Sequence, residues 1–190
     1  MTNKMTDPTA ADLRHEVRGV VMGAAKGAAL CMFVLAAGYF LLPRFLSFPE
    51  DRIQALIFTM RVDLFVLLWV VAGVGIVGRA RRHSAADIGA AAFGTPTRDI
   101  RIKTAFLQNT LEQSVIAIGS HLVLSTLVSG AALSFIVSSA LLFAVGRICF
   151  YRGYRRGAAA RSFGLVTTAL PGLLAIALSL VLLTREAVAG

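Results

Sequence analysis

The sequence predicts an all-α integral membrane protein with five spans, and three observations carry that prediction. First, 57% of its 190 residues are hydrophobic and only 15% are charged, whereas a soluble domain carries roughly a quarter charged residues. Second, apolar runs recur along the chain, each long enough for the about 20 residues a helix needs to cross a bilayer. Third, the basic residues behind the net charge of +9 gather at the ends of those runs, where they set membrane orientation. A pI of about 10.8 could also suit a nucleic-acid binder, but no nucleic-acid motif accompanies it. The expected partner is the lipid bilayer.

The chain is polar up to Asp12, where Asp-Leu-Arg-His-Glu can open a helix. Val20–Leu42 is the first span, too long for a signal-peptide core and without a small-residue cleavage site after it, so it reads as retained. Lys26 interrupts it and should snorkel or face another helix. Gly19, Gly23 and Gly27 recur every four residues and lay a smooth face on the helix for close packing. Pro43 ends the run, and a short polar connection leads to the second span, Ile53–Gly78. Arg61 and Asp63 stand near its start, two positions apart, and so do not face each other. They read as a pair snorkelling to the outer interface, with a proton or ion path as the alternative.

The basic cluster Gly78-Arg79-Ala80-Arg81-Arg82-His83 stops this span, and His83 belongs to its wet border. Ser84–Asp99, with Gly89, Gly94 and Pro96, forms the longest loop. Ile102–Val128 is the third span, and its first half carries Gln108, Asn109, Glu112 and Gln113. Such groups are expensive in a membrane helix and normally face protein or a water-filled cavity. Asn109 and Glu112 share a face, and Arg101 lies on the same stripe two turns earlier. His121 is turned about 120° from Asn109 at 100° per residue and is expected to make a helix-packing hydrogen bond.

Ala131–Tyr151 is the fourth span and runs into the basic stretch Gly146–Arg161. On one helix, Arg147, Phe150, Tyr154 and Arg161 would fall within a stripe roughly 60° wide. A positively charged cytoplasmic helix end is the plainer reading of the same stretch. Ser162–Leu183 is the fifth span, with a kink expected at Pro171-Gly172. Cys31 and Cys149 sit in apolar stretches and read as small hydrophobes; neither a disulfide framework nor a metal site is expected.

Fourteen flanking Lys and Arg residues fall on the side of the N-terminus, from Lys4, Arg14 and Arg18 through the long loop to Arg161; only Arg44, Arg52 and Arg185 fall on the other. That bias predicts a cytoplasmic N-terminus and places both polar stripes in the cytoplasmic half of the membrane. Residues 1–52 would form a tail, a first span and a connecting loop, and residues 53–190 a four-helix domain.

Together the stripes offer Arg101, Asn109 and Glu112 from one helix and Arg147, Tyr154 and Arg161 from another. Guanidiniums bind carboxylates in a bidentate fork, a carboxylate takes an ammonium, and an amide pairs with an amide. A small peptide with two carboxylates and one amine would satisfy all of them, and glutathione fits that description. A remaining Arg beside its thiol would stabilise the thiolate, which is the nucleophile.

These residues resemble the membrane-associated proteins in eicosanoid and glutathione metabolism, the MAPEG family, which includes microsomal glutathione transferases, the leukotriene-forming glutathione transferase and microsomal prostaglandin E synthase. The resemblance runs from Arg79 to about Leu183. It is carried by Asn109-x-x-Glu112 and by Gly146-Arg147, Gly153-Tyr154 and Arg161, whose spacing looks like the leukotriene-forming member.

The resemblance implies a four-helix protomer, here with one extra N-terminal span, forming a homotrimer with glutathione as co-substrate between subunits. By that analogy Asn109, Glu112, Arg147 and Tyr154 hold the peptide, Arg161 stabilises the thiolate, and Arg79 or Arg81 reaches toward the carboxylates. A lipophilic electrophile would enter from the bilayer. The chain departs from the family at Ala105, where relatives commonly carry Arg, and at Phe150, where they carry Tyr or His. Three functions are weighed: a glutathione-dependent transferase or peroxidase, a non-catalytic membrane protein binding a lipid-like ligand or a partner protein, and a small transporter, for which no internal repeat speaks. The Ala-, Gly- and Arg-rich composition suggests a bacterial inner membrane.

Overall fold

The structure, a computed structural model, describes residues 10–89 and 93–189. Five long helices make up the fold: α1 (Ala10–Leu41), α2 (Arg52–Arg82), α3 (Arg98–Leu127), α4 (Ser134–Tyr154) and α5 (Ala158–Ala189). Short 3-10 turns follow α1 at Leu42–Arg44, where Pro43 ends the helix, and precede α4 at Gly130–Leu133. No strand occurs among the described residues. Most helices overrun the apolar runs by about a turn or more, because charged end residues continue the backbone hydrogen bonding beyond the hydrocarbon. The start of the polar tail, including Lys4, lies outside the described residues.

Local chemistry sets the helix boundaries. Asp51 caps α2 by accepting from the Gln54 amide at 3.0 Å, and Thr97 Oγ1 caps α3 by accepting from the Ile100 amide. The turn into α4 uses Gly130 at φ 58, and the break between α4 and α5 uses Gly157 at φ 110, a region that favours glycine. This break corrects the reading of Arg161 as part of the fourth helix: it stands in the first turn of α5. α5 runs as one helix through the buried Pro171 and Gly172.

The connections show how the chain traverses the bundle. The Gly130 amide donates to the Pro49 carbonyl at 2.8 Å, which sets the start of α4 beside the start of α2. At the other end Asp87 accepts from the Thr97 amide and hydroxyl, both at 2.8 Å, and from the Ser84 hydroxyl at 2.6 Å, stapling the loop from α2 to α3. Ser84 first, then the Thr97 amide, hold the Asp87 carboxyl below its ordinary range. Arg155 pairs with Asp99, tying the end of α4 to the start of α3.

α3 therefore returns the chain through the full bundle. It is nevertheless the polar helix of the five: α1, α2, α4 and α5 are each long and apolar enough to cross a membrane. α3 does not reach that apolarity because Gln108, Asn109, Glu112 and Gln113 interrupt it.

α5 packs against α1, α3 and α4; α4 also touches α1 and α2, and α2 lies along α3. The glycine face of α1 meets α5 as its spacing predicts. A Cβ at Gly19 would stand 2.7 Å from Ala159 Cβ, and one at Gly27 would stand 2.8 Å from the Phe163 carbonyl. Large apolar side chains such as Phe33, Phe65, Leu141 and Leu173 point outward, as a lipid-facing surface requires.

Candidate functional site

The site grows from the close approach of α4 and α5. A Cβ at Gly146 would lie 2.1 Å from Thr168 Oγ1, and one at Gly164 would lie 2.3 Å from the Phe150 amide nitrogen. Only glycine allows the two backbones to touch in this way, and their contact brings α5 within reach of Arg147. Its Nε donates to Thr168 Oγ1 at 3.1 Å and its Nη1 donates to Asn109 Oδ1 of α3 at 2.8 Å. The guanidinium is 0% exposed and lies 4.8 Å from the Phe150 ring centre and 5.6 Å from that of Phe143. Its Nη2 has no partner among the described residues. A buried cation with an unused donor is chemically able to take one further acceptor, such as an anion.

The row continues past the helix break. Phe150 meets Tyr154 edge-on at 5.4 Å, and Arg161 lies over the Tyr154 ring at 4.8 Å. Arg161 reaches it because α5 starts hard against the end of α4: a Cβ at Gly153 would stand 2.3 Å from the Ala160 carbonyl. Arg147, Phe150, Tyr154 and Arg161 thus form one alternating row of cations and rings, assembled from two helices instead of one. Phe150, where a polar contact would otherwise stand, packs against the Arg147 cation.

The predicted residues divide into two groups. Asn109, Arg147, Tyr154 and Arg161 come together. Arg79, Arg101 and Glu112 are exposed on the protomer, and no hydrogen bond or ion pair among the described residues joins them, or Arg81, to that row. Glu112 accepts from Gln108 Nε2 at 3.0 Å. Arg79 lines a recess with Ile76, His83, Lys103 and Tyr151 at the basic end, and Arg81 is half-buried with its Nε unpartnered. The sequence reading does not include Thr168; its signal is the pair Thr167-Thr168 about one turn after Gly164, ahead of the apolar stretch of α5.

A second polar cluster corrects the reading of Arg61 and Asp63. Asp63 is not snorkelling: it is 3% exposed, while Arg61 is exposed on another face of α2. Its Oδ1 lies 2.7 Å from His121 Nδ1, and His121 Nε2 lies 2.7 Å from Ser139 Oγ. His121 does make helix-packing hydrogen bonds, to two helices at once. The order Asp–His–Ser is that of an acyl-transfer centre, but Ser139 is enclosed within α4, whose amides are engaged in the helix. Neither substrate access nor oxyanion donors remain, so the cluster pins α2, α3 and α4 together. Two lone ionisable residues in separate spans were the signal for it.

An apolar groove of about 530 Å³ lies between α2 and α4, lined by residues including Phe65, Trp69, Leu141 and Ala144, the last one turn before Arg147.

The family model of the MAPEG family matches residues 56–181, which comprise most of α2 through α5 and leave out α1. Transmembrane protein 79 of Bos taurus is 29% identical over 164 residues, covering 83% of this chain and 39% of that protein. The chain thus spans about two fifths of the length of this relative. No solved structure matches the chain.

Proposed function

The chain belongs to the MAPEG family, a membrane family of glutathione and eicosanoid metabolism, and on that premise we propose that it is a membrane-bound glutathione transferase or peroxidase. The observation that carries the reading is the row Arg147–Phe150–Tyr154–Arg161, with its unspent Arg147 Nη2, beside Asn109. Arg147 and Asn109 would hold a carboxylate and an amide of glutathione. Tyr154 would orient the tripeptide, and Arg161 would offset the charge of its sulfur after the thiol proton leaves to water. The thiolate would then form a carbon–sulfur bond with a lipophilic electrophile as the leaving group departs. With a lipid hydroperoxide it would attack the terminal oxygen and break the O–O bond, leaving the lipid alcohol (protonated by water) and a glutathione sulfenic acid. A second glutathione would convert that acid to the disulfide and water. The groove between α2 and α4 offers such a substrate a path from the bilayer.

Glu112 and Gln108 stand exposed on the protomer within α3, a costly placement in lipid. A homotrimer would cover them, with Glu112, Arg101, Arg79 and Arg81 reaching a glutathione held between subunits. The positive-inside bias puts this end in the cytoplasm, and the composition favours a bacterial inner membrane.

The hydrogen bond from Arg147 Nη1 to Asn109 Oδ1 already engages both groups inside the protomer, which favours a second reading, a non-catalytic protein of this fold that binds a lipid-like ligand. One experiment separates the two. Purified protein mixed with glutathione should show thiolate absorbance near neutral pH, and Arg161→Ala should abolish it. An unchanged signal in that variant refutes the mechanism.

A further inference from the structure

We propose that α1, which lies outside the matched residues 56–181, is a working part of the site, with Glu16 as a positioning residue that holds Arg161 by capping α5. The first amides of a helix lack intrahelical partners, and Ser, Thr, Asp or Asn normally supplies an acceptor. α5 has none of its own at its start, which reads Gly157-Ala158-Ala159-Ala160. The acceptor comes from 143 residues away: Glu16 Oε1 takes the Ala159 amide proton at 2.9 Å. A carboxylate is suited to this place by the positive end of the helix as well as by the hydrogen bond.

The backbone around Glu16 is shaped to this contact. Gly157 adopts φ 110, and a Cβ there would stand 3.1 Å from the same Glu16 oxygen. On α1 itself, Gly19 lets the helix close on Ala159, one turn from Glu16. Arg161 is two residues beyond the held amide, in the same first turn, and its guanidinium lies over Tyr154 of α4. Loosening that turn moves Arg161 relative to Tyr154 and Arg147. The added helix thereby fixes one cation of the row against the other.

This inference rests on the reading of Arg161 as the group that holds the glutathione thiolate, so the test carries two readouts on the full chain. Hydrogen–deuterium exchange of the amides at 158–161 reports the cap with no glutathione present; thiolate absorbance reports the coupling. Glu16→Ala should raise the exchange and lower the thiolate signal about fivefold, the order of a helix-cap contribution. Glu16→Gln keeps an acceptor oxygen and should restore most of both.

Faster exchange with an unchanged thiolate signal would make Glu16 a structural cap only and overturn the inference. Unchanged exchange would overturn it as well, by showing that Glu16 does not hold α5. If the unmodified protein gives no thiolate signal, the functional reading fails and takes the coupling with it, and the exchange data alone then establish the cap.

Discussion

Replacing His121 by Leu should damage the protein more than replacing Asp63 and His121 together. In the single variant Asp63 keeps its carboxylate, 3% exposed, with Oδ2 already unpartnered and Oδ1 newly so. At about 1.5 Å per residue, Asp63 stands ~16 Å along α2 from Arg52, well within the span. A carboxylate at the centre of a membrane helix costs about 2.5–3.5 kcal/mol on the insertion scale, and the lost partner of Ser139 adds about 1 kcal/mol. Neutral polar pairs between membrane helices contribute only about 0.6 kcal/mol on average, so the stranded charge dominates.

Asp63→Val/His121→Leu removes the charge together with its partner and should lie within about 1 kcal/mol of the parent, the residual cost being Ser139 without His121. Both variants share the loss at Ser139, so the gap between them is that of the stranded carboxylate, about 2.5–3.5 kcal/mol, or roughly 10 °C in Tm. Thermal unfolding in detergent can be followed through Trp69, the single tryptophan, which packs against Val66, Ala117, Ala140 and Phe143 beside the cluster. A single variant as stable as the double one refutes the reasoning.

Three further outcomes are expected. Glu112→Gln should weaken glutathione binding by about 1.5–3 kcal/mol, the range for a hydrogen bond to a charged group; unaltered affinity in a titration would make Glu112 a contact between helices. Gly146→Ala would set a methyl 2.1 Å from Thr168 Oγ1 and 2.9 Å from the Gly164 carbonyl, so α4 and α5 must separate at a cost of about 1–3 kcal/mol, readable as a lower Tm. The staple at Asp87 should be fully present above the ordinary carboxyl value of 3.8 and lost as pH falls through the lowered folded-state value. Cleavage of the 84–97 loop by an acid protease should therefore rise across that range, and Asp87→Asn should flatten the dependence.

Much of the architecture was legible along the chain. The apolar runs announce the long helices, the spacing of Gly19, Gly23 and Gly27 announces a close helix contact, and Asn109 and Arg147 each fall on a polar stripe of their own helix. Each is a property of one helix: a period of 3.6 residues tells which side chains share a face without reference to any neighbour. The single-helix period is wrong for Arg161, which belongs to α5; Arg161 still reaches Tyr154 because α5 starts against the end of α4.

Other features depend on how two helices are rotated and set in depth against each other, and no period within either helix encodes that. Asp63 and His121 are 58 residues apart, and nothing in either run says that their faces meet. Arg147 is enclosed while Glu112, equally polar and in the first half of α3, stays at the surface, because the approach of α4 to α5 closes over one and the packing of α3 leaves the other out. Glu16 finds Ala159 only once α1 has settled along α5. The sequence by itself determined which residues share a helix face; the tertiary structure decided which faces are buried and which meet, because contact between side chains requires the relative rotation and depth of two helices and each run records only its own.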